Sequence, residues 1–140
     1  MGELDRCRKP ATALADPYPA PTIIPKAFVK DQAADYEAEF VIVIGHHHSD
    51  PHKVCKDVSE ENAMDYVAGY TAANDLSSRK QQFETSQWGF SKGFDGACPI
   101  GPAFIPRDAV GKEGSKEGGW KEVRIRGARN GLVCQDSTLE

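Results

Sequence analysis

The chain has 140 residues, 27% of them charged, and a formal net charge of −4 at pH 7. This length and composition predict a single globular domain with a modest core. The slight acidic excess and the lack of a basic stripe argue against a nucleic acid partner. No apolar run approaches the roughly 18 residues that a membrane span requires, so we expect no membrane association.

The cysteines are widely scattered and contain no C-x-x-C pair. They are Cys7, Cys55, Cys98 and Cys134. Disulfide frameworks and zinc sites show closer, patterned spacing, so we expect four reduced thiols. The first residues contain no signal-peptide core. We therefore expect a cytoplasmic protein, with a mitochondrial location left open.

Residues 1–34 are rich in proline and predict an extended arm. The prolines that matter here are Pro10, Pro17, Pro19, Pro21 and Pro25. Proline fixes φ and removes a backbone donor, which disfavours both helices and central strands. We expect this arm to lie against a domain formed by residues 35–140.

Residues 36–44 predict a strand that carries two carboxylates at its start. Side chains two apart in a strand share a face, so Glu37 and Glu39 point the same way as Val41 and Val43. Apolar residues on both faces beyond Glu39 predict burial on both sides. Two like charges beside a buried strand repel each other and are costly to desolvate. A divalent cation such as Mg²⁺ or Ca²⁺ would make this arrangement favourable.

A polar loop over residues 45–56 follows the strand and carries four histidines. They are His46, His47, His48 and His52. Adjacent histidines can bind transition metals. An exposed polar loop without a metal is the alternative, and it is the interpretation that we favour.

Two helices are predicted after this loop. The first begins at Ser59, a residue suited to the N-cap position, and ends near Gly69. An extended link over residues 70–74 then leads to a second helix over residues 76–83.

Asp75 stands at the junction between this link and the second helix. It is either the N-cap of that helix or a third carboxylate ligand beside the strand carboxylates. Helical spacing places Arg79 and Gln82 on one face with Asp75. A carboxylate, a guanidinium and an amide together suit an anionic, metal-chelating substrate. A solvated face with an ordinary Asp75–Arg79 pair stays open as the alternative.

Residues 84–97 predict a loop that contains Lys92 next to a glycine. A lysine held in such a loop could neutralise a substrate oxyanion, although most loop lysines are simply solvated. Residues 98–106 contain three prolines and predict an irregular or edge strand. Residues 111–119 predict a charged loop, and Asn130-Gly131 between two apolar runs predicts a β-hairpin.

Several short motifs in this order together resemble the fumarylacetoacetate hydrolase superfamily. The matching segments are Lys9-Pro10, residues 35–45, residues 63–79, residues 92–95, residues 98–102, and Asn130-Gly131 with Gln135. The resemblance extends from about residue 9 to residue 138. It implies an α+β fold, a β-rich mixed sheet or roll of the family's C-terminal-domain type.

The resemblance also implies a chemistry. Glu37, Glu39 and Asp75 match the family's ligands for Mg²⁺ or Mn²⁺. Substrate-pocket positions match Arg79, Gln82 and Lys92, with Lys92 in a catalytic role. Members act on C–C bonds of small β-dicarbonyl or α-keto acids, by hydrolysis of acylpyruvate-like or fumarylacetoacetate-like substrates or by oxaloacetate decarboxylation. A complete member is expected to form a homodimer.

The sequence departs from the family in length, which leads us to expect truncation at both ends and an incomplete domain. The His–Glu pair that usually precedes the Lys-Pro motif and activates water is not found before Lys9. Whether the chain is an enzyme is therefore left open. The alternative is a catalytically impaired remnant that binds a divalent metal or pairs with a full-length relative.

Overall fold

The computed structural model describes residues 7–114 and 123–139. In these ranges the strands are β1 (Leu14–Ala15), β2 (Ala34–Asp35), β3 (Ala38–Ile44), β4 (Val67–Asn74), β5 (Ser77–Ser78), β6 (Cys98–Pro99), β7 (Ile105–Pro106), β8 (Arg124–Arg129) and β9 (Leu132–Thr138). The α-helices are α1 (Lys26–Val29), α2 (Arg79–Glu84), α3 (Trp88–Lys92) and α4 (Arg107–Gly114), and 3-10 helices cover Ala11–Ala13 and Glu60–Tyr66. Short helices on small, mostly antiparallel sheets confirm the predicted α+β class.

The main sheet has three strands in the order β3-β4-β7. β3 pairs antiparallel with β4, and Ile42 lies opposite Tyr70. Burial of β3 on both faces, predicted from its apolar residues, is wrong. Ile42 is 51% exposed and Ile44 is 57% exposed. The reason is that β3 lies at the edge of the sheet, where an unbroken apolar run does not ensure a covering layer.

The region before β4 is less helical than the spacing predicts. Ser59 does precede a helix, but that helix is of the 3-10 type and ends at Tyr66. Gly69, predicted to end it, lies inside β4. The predicted extended link over residues 70–74 is the rest of this strand. A Cβ at position 69 would lie 2.6 Å from the Phe104 ring, so this close approach requires glycine.

The second predicted helix begins later than expected. β5 pairs with β2 in front of it, and α2 starts only at Arg79. Asp75 is therefore not the N-cap of a helix, and the predicted face of Asp75, Arg79 and Gln82 does not form. The following segment, predicted as a loop, contains α3, whose last residue is Lys92.

The proline-rich segment is packed into the fold. β1 pairs with β6 in a parallel arrangement, and Ala13 is fully buried in a cluster with Leu76 and Ala97. The prediction that this segment forms no helix is wrong at α1. Pro25 directly precedes that helix, a position where its missing N–H has no cost. Phe28 of α1 contacts the rings of two aromatic residues near α3, Phe90 and Phe94.

The hairpin predicted at Asn130-Gly131 is confirmed. β8 and β9 pair antiparallel, and the two turn residues have φ of +51° and +81°. These values suit a type I′ turn, which joins twisted strands. The Gln135 side chain accepts a hydrogen bond from Ala38 N at 2.7 Å and donates one to Ala38 O at 2.8 Å. The hairpin is thereby fastened to the start of β3.

The two remaining segments agree in part with the sequence. The predicted edge strand over residues 98–106 contains β6 and β7, and β7 lies at an edge of the main sheet. The predicted loop over residues 111–119 begins within α4, which ends at Gly114. Residues 115–119 lie outside the described part of the chain.

Candidate active site

Three carboxylates meet where β3 begins and β4 ends. Glu37 N donates to the side chain of Asn74 at 3.1 Å, and Asp75 N donates to Glu37 O at 2.8 Å. One carboxylate oxygen each from Glu37, Glu39 and Asp75 lies within 4.8 Å of the others. The antiparallel pairing therefore brings together the three residues that the sequence predicts as ligands. Their role as ligands stays a prediction.

Lys92 supplies a positive charge to this cluster. Its Nζ donates to Glu37 Oε2 at 2.8 Å, to Asp75 Oδ2 at 3.0 Å and to Ser77 Oγ at 2.6 Å. The residue is 4% exposed. Placement of Lys92 in a loop is wrong, because it ends helix α3 and is held there rather than free in solvent.

Arg79 pairs with different carboxylates from those expected. Its Nε donates to Asp35 Oδ2 at 2.9 Å, and its Nη1 donates to Glu37 Oε1 at 2.5 Å and to Gln82 Oε1 at 2.8 Å. The anticipated Asp75–Arg79 pair does not form, because Asp75 precedes β5 instead of starting the helix. Arg79 and Gln82 do contact each other, as their spacing predicts.

Lys9 and Ser77 complete the cluster, and neither was predicted to take part. Lys9 Nζ lies 2.6 Å from Asp75 Oδ1. The Ser77 hydroxyl bridges Lys92 and Glu37. Lys9 belongs to the Lys9-Pro10 motif, but local spacing does not indicate that its ammonium pairs with a carboxylate 66 residues further along the chain.

The charges on the two strand glutamates are stabilised very differently. Burial acts to raise the pKa of Glu37, but hydrogen bonds from Lys92 and Arg79 outweigh it and lower that pKa below its ordinary value. The pKa of Glu39 is raised, first by burial and then by the negative charges of Asp75 and Glu37. In the described part of the chain, Glu39 has no ion pair or hydrogen bond through its carboxylate.

The same balance applies to the cations. Burial acts to lower the pKa of Lys92, but the hydrogen bonds that it donates to Glu37 and Asp75 raise that pKa above its ordinary value. The pKa of Arg79 is likewise raised, since its pairs with Glu37 and Asp35 outweigh burial. Both side chains are therefore positively charged at neutral pH.

The donor set fits a hard divalent cation. Glu39, although exposed, forms no ion pair among the described residues and faces two other carboxylates, whose charges outweigh the more distant charge of Lys92. Asp75 Oδ1 is buried and receives no hydrogen bond of suitable direction, although Lys9 Nζ is close enough to form an ion pair with it. Carboxylate oxygens are the ligands that Mg²⁺ and Mn²⁺ prefer. A cation here would satisfy the carboxylate that the protein leaves unpaired.

An open cavity of about 370 Å³ adjoins two of these carboxylates. It is lined by Asp35, Tyr36, Glu37, Glu39, Arg79, Cys134 and Gln135. Of the predicted substrate residues, Arg79 lines this cavity, whereas Lys92 and Gln82 do not. The hairpin forms part of its wall through Cys134 and Gln135, a contribution that the sequence did not indicate.

The histidine loop lies apart from the carboxylates. Among residues 7–114 and 123–139, none of its histidines joins a cluster of three or more metal-ligating side chains. His47 lies 3.7 Å from Asp65 and packs its ring against Tyr66. Both interpretations of the histidine loop, a polar loop and a transition-metal site, therefore stay predictions. In the described ranges, no helix is long and apolar enough to cross a membrane.

Comparison with known sequences identifies a matching family and a set of similar proteins. The family described as fumarylacetoacetate (FAA) hydrolase C-terminal matches residues 7–140. Caffeoylpyruvate hydrolase from Neonothopanus nambi is 51% identical over 89 residues, which cover 61% of this chain and 28% of that protein.

Solved structures agree. Fumarylacetoacetate hydrolase from Exiguobacterium antarcticum superposes with a TM-score of 0.70 at 29% identity, over 93% of this chain and 40% of that chain. A 5-carboxymethyl-2-hydroxymuconate delta-isomerase from Mycobacterium smegmatis gives a TM-score of 0.64 at 32% identity, over 92% of this chain and 43% of that chain. The chain spans less than half the length of each of these three relatives.

Proposed function

The chain belongs to the fumarylacetoacetate hydrolase family, and from that premise we propose that it acts, with Mg²⁺ or Mn²⁺, on C–C bonds of small β-dicarbonyl or α-keto acids. Glu37, Glu39 and Asp75 would hold the cation. The observation that carries this proposal is the unpaired carboxylate of Glu39, set within 4.8 Å of two others. Without a cation that arrangement is electrostatically unfavourable.

The substrate class follows from the charges around the cavity. A bound divalent cation would polarise a chelated carbonyl and stabilise an enolate. Arg79 lines the cavity and carries a planar guanidinium, which suits a substrate carboxylate. Lys92 does not line the cavity, but its charged ammonium lies within 3.0 Å of both Glu37 and Asp75, so its charge would act on an oxyanion that forms beside those carboxylates.

For an acylpyruvate the balance of the reaction is simple. Water adds its oxygen to the acyl carbon, and the C–C bond breaks with its electron pair on the pyruvate fragment. That enolate takes a proton, so the products are a carboxylic acid and pyruvate. Water must be deprotonated for this step, and loss of a general base typically costs about 10²–10⁴-fold. Decarboxylation of oxaloacetate needs no activated water, so we expect it to be the faster reaction here.

A second candidate is a catalytically impaired remnant that binds a divalent metal or pairs with a full-length relative. One observation favours it: among the described residues, the cavity lining contains no histidine that could serve as a base. The two candidates differ in turnover and share the metal site.

Both candidates are tested by assays of acylpyruvate hydrolysis and oxaloacetate decarboxylation with and without Mn²⁺. We expect Mn²⁺-dependent decarboxylation that is abolished in Glu39→Gln and strongly reduced in Lys92→Met. Mn²⁺ binding without turnover of either substrate would favour the remnant. Equal turnover with and without Mn²⁺, unaffected by Glu39→Gln, would refute the proposal.

A further inference from the structure

Lys9 is a charged residue at the site to which neither the metal site nor the substrate chemistry gives a role. Its Nζ lies among three oxygens: Asp75 Oδ1 at 2.6 Å, Ala97 O at 3.3 Å, and the backbone carbonyl of Lys92. An ammonium group has three N–H donors. Lys9 thus donates two hydrogen bonds to backbone carbonyls and forms one ion pair, and its side chain is only 18% exposed.

The three oxygens lie on two segments of the chain, one around Asp75 and one between Lys92 and Ala97, both far in sequence from Lys9. Asp75 lies between β4 and β5, Lys92 ends α3, and Ala97 precedes β6. The Ala97 carbonyl also accepts a hydrogen bond from Leu76 N, the residue after Asp75, at 2.9 Å. One ammonium thus joins a carboxylate of the site to the backbone of the helix that carries Lys92.

We propose that Lys9 is a positioning residue that fixes Asp75 and the end of α3 relative to each other. The Asp75 carboxylate is held on both sides, by Lys9 at Oδ1 and by Lys92 at Oδ2. Lys92 is held at its backbone by Lys9 and at its ammonium by Asp75 and Glu37. The part of this inference that concerns metal binding rests on the proposed function.

Two other roles for Lys9 would give different results. If Lys9 were only a counter-charge, its removal would tighten Mn²⁺ binding, since like charges repel. If it only supported the fold, its removal would lower the melting temperature and leave the Mn²⁺ affinity of the folded protein unchanged. A positioning role weakens Mn²⁺ binding, because a ligand that loses its orienting partner is less well placed.

The first experiment is calorimetric titration of Mn²⁺ into wild type, Lys9→Met and Lys30→Met. Methionine keeps the length of the side chain and removes its charge, and the exposed Lys30 is a matched surface control. Near-UV circular dichroism establishes that each variant is folded. We expect Lys9→Met to bind Mn²⁺ about 10–100-fold more weakly, the range found when the partner of a metal ligand is removed. Unchanged or tighter binding by folded Lys9→Met would overturn the proposal.

The second experiment needs neither metal nor a Lys9 variant. Amine methylation of wild type, followed by mass spectrometry, should label Lys9 several-fold more slowly than Lys30. Asp75→Asn should accelerate labelling of Lys9 and leave Lys30 unaffected. Equal labelling of the two lysines in wild type would overturn the proposal even if Lys9→Met does not fold. Wild type that binds no Mn²⁺ but protects Lys9 would refute the proposed function and leave the placement of Lys9 standing.

Discussion

The segment from Glu37 to Ile44, which contains β3, has charged contacts at its start and exposed apolar side chains at its end. At its start, Glu37 forms ion pairs with Arg79 and with the buried Lys92, beside an open cavity. At its end, Ile42 and Ile44 are more than half exposed. Between them β3 pairs antiparallel with β4, with an irregularity in register between Val43 and Ile44.

The difference shows which interactions organise this chain. Five polar or charged residues are buried in the described part of the chain: Ser77, Ser78, Gln81, Ser91 and Lys92. Buried polar groups are tolerated only when they are hydrogen-bonded, and the contacts around Lys92 meet that condition. An apolar sheet face is meanwhile left uncovered in the described part of the chain. Burial in the described residues therefore depends on packing beside the charge cluster as well as on hydropathy.

The largest effect is expected from removing a charge at the start of this segment, where Glu37 pairs with two cations. Glu37→Gln removes the negative charge shared by Lys92 and Arg79, and leaves a buried ammonium with one carboxylate fewer. Removal of one partner from a buried pair costs about 3–5 kcal/mol; since Lys92 keeps Asp75, we expect about 2–3 kcal/mol here. Urea unfolding gives the free energy directly. A loss below about 0.5 kcal/mol would place Glu37 among ordinary surface residues.

Glu39→Gln is the matched control, two residues along on the same face. Its carboxylate has no partner among the described residues and faces Glu37 and Asp75, so its removal relieves repulsion. We expect unchanged or slightly raised stability without metal, measured in the same unfolding experiment. Destabilisation equal to that of Glu37→Gln would contradict the asymmetry between the two glutamates.

Acidification should separate these glutamates by the sign of their effects. The pKa of Glu37 is lowered, so its stabilisation is present above the ordinary value of 4.5 and is lost as pH falls through the folded-state pKa. The pKa of Glu39 is raised, so the folded protein binds that proton more readily than the unfolded chain. Any difference in stability by which Glu39→Gln exceeds wild type at neutral pH should therefore shrink as pH falls towards 4.5. Melting curves at stepped pH check this, and a constant difference would argue against a raised pKa at Glu39.

The smallest effect is expected at the end of β3, where Ile42 and Ile44 are exposed. Ile42→Thr with Ile44→Thr keeps β-branched side chains but reduces the apolar area on an exposed sheet edge. We expect weaker self-association and little change in melting temperature, because uncovered edges and apolar faces promote pairing with other chains. Sedimentation velocity measures the association. Leu132→Thr, on the exposed hairpin, is the control, and an equal effect there would mean that the β3 face is not special.

The local parts of this picture could be predicted from sequence. Glu37 and Glu39 share a face because strands alternate, and Asn130-Gly131 specifies its turn by its own φ preferences. The order of short motifs indicated that Asp75 would join them. Each of these inferences depends on residues close together in the chain or on a family pattern.

The features that the sequence does not predict depend on contacts between residues far apart in the chain. Tyr66, Val67 and Tyr70 fit helical spacing, yet pairing with β3 draws Val67 and Tyr70 into a strand, where β-branched and aromatic side chains pack well. The bond of Lys9 to Asp75 and the fastening of Gln135 to Ala38 join residues 66 and 97 positions apart. No local periodicity encodes such contacts.

The central claim is that Glu37, Glu39 and Asp75 hold one divalent cation, and calorimetric titration of Mn²⁺ tests it most directly. Wild type should bind a single Mn²⁺ with modest affinity, since three carboxylates leave ligand positions for water or substrate. Glu39→Gln, folded and no less stable, should show no saturable heat. Equal binding by wild type and Glu39→Gln, or no binding by folded wild type, would contradict the claim.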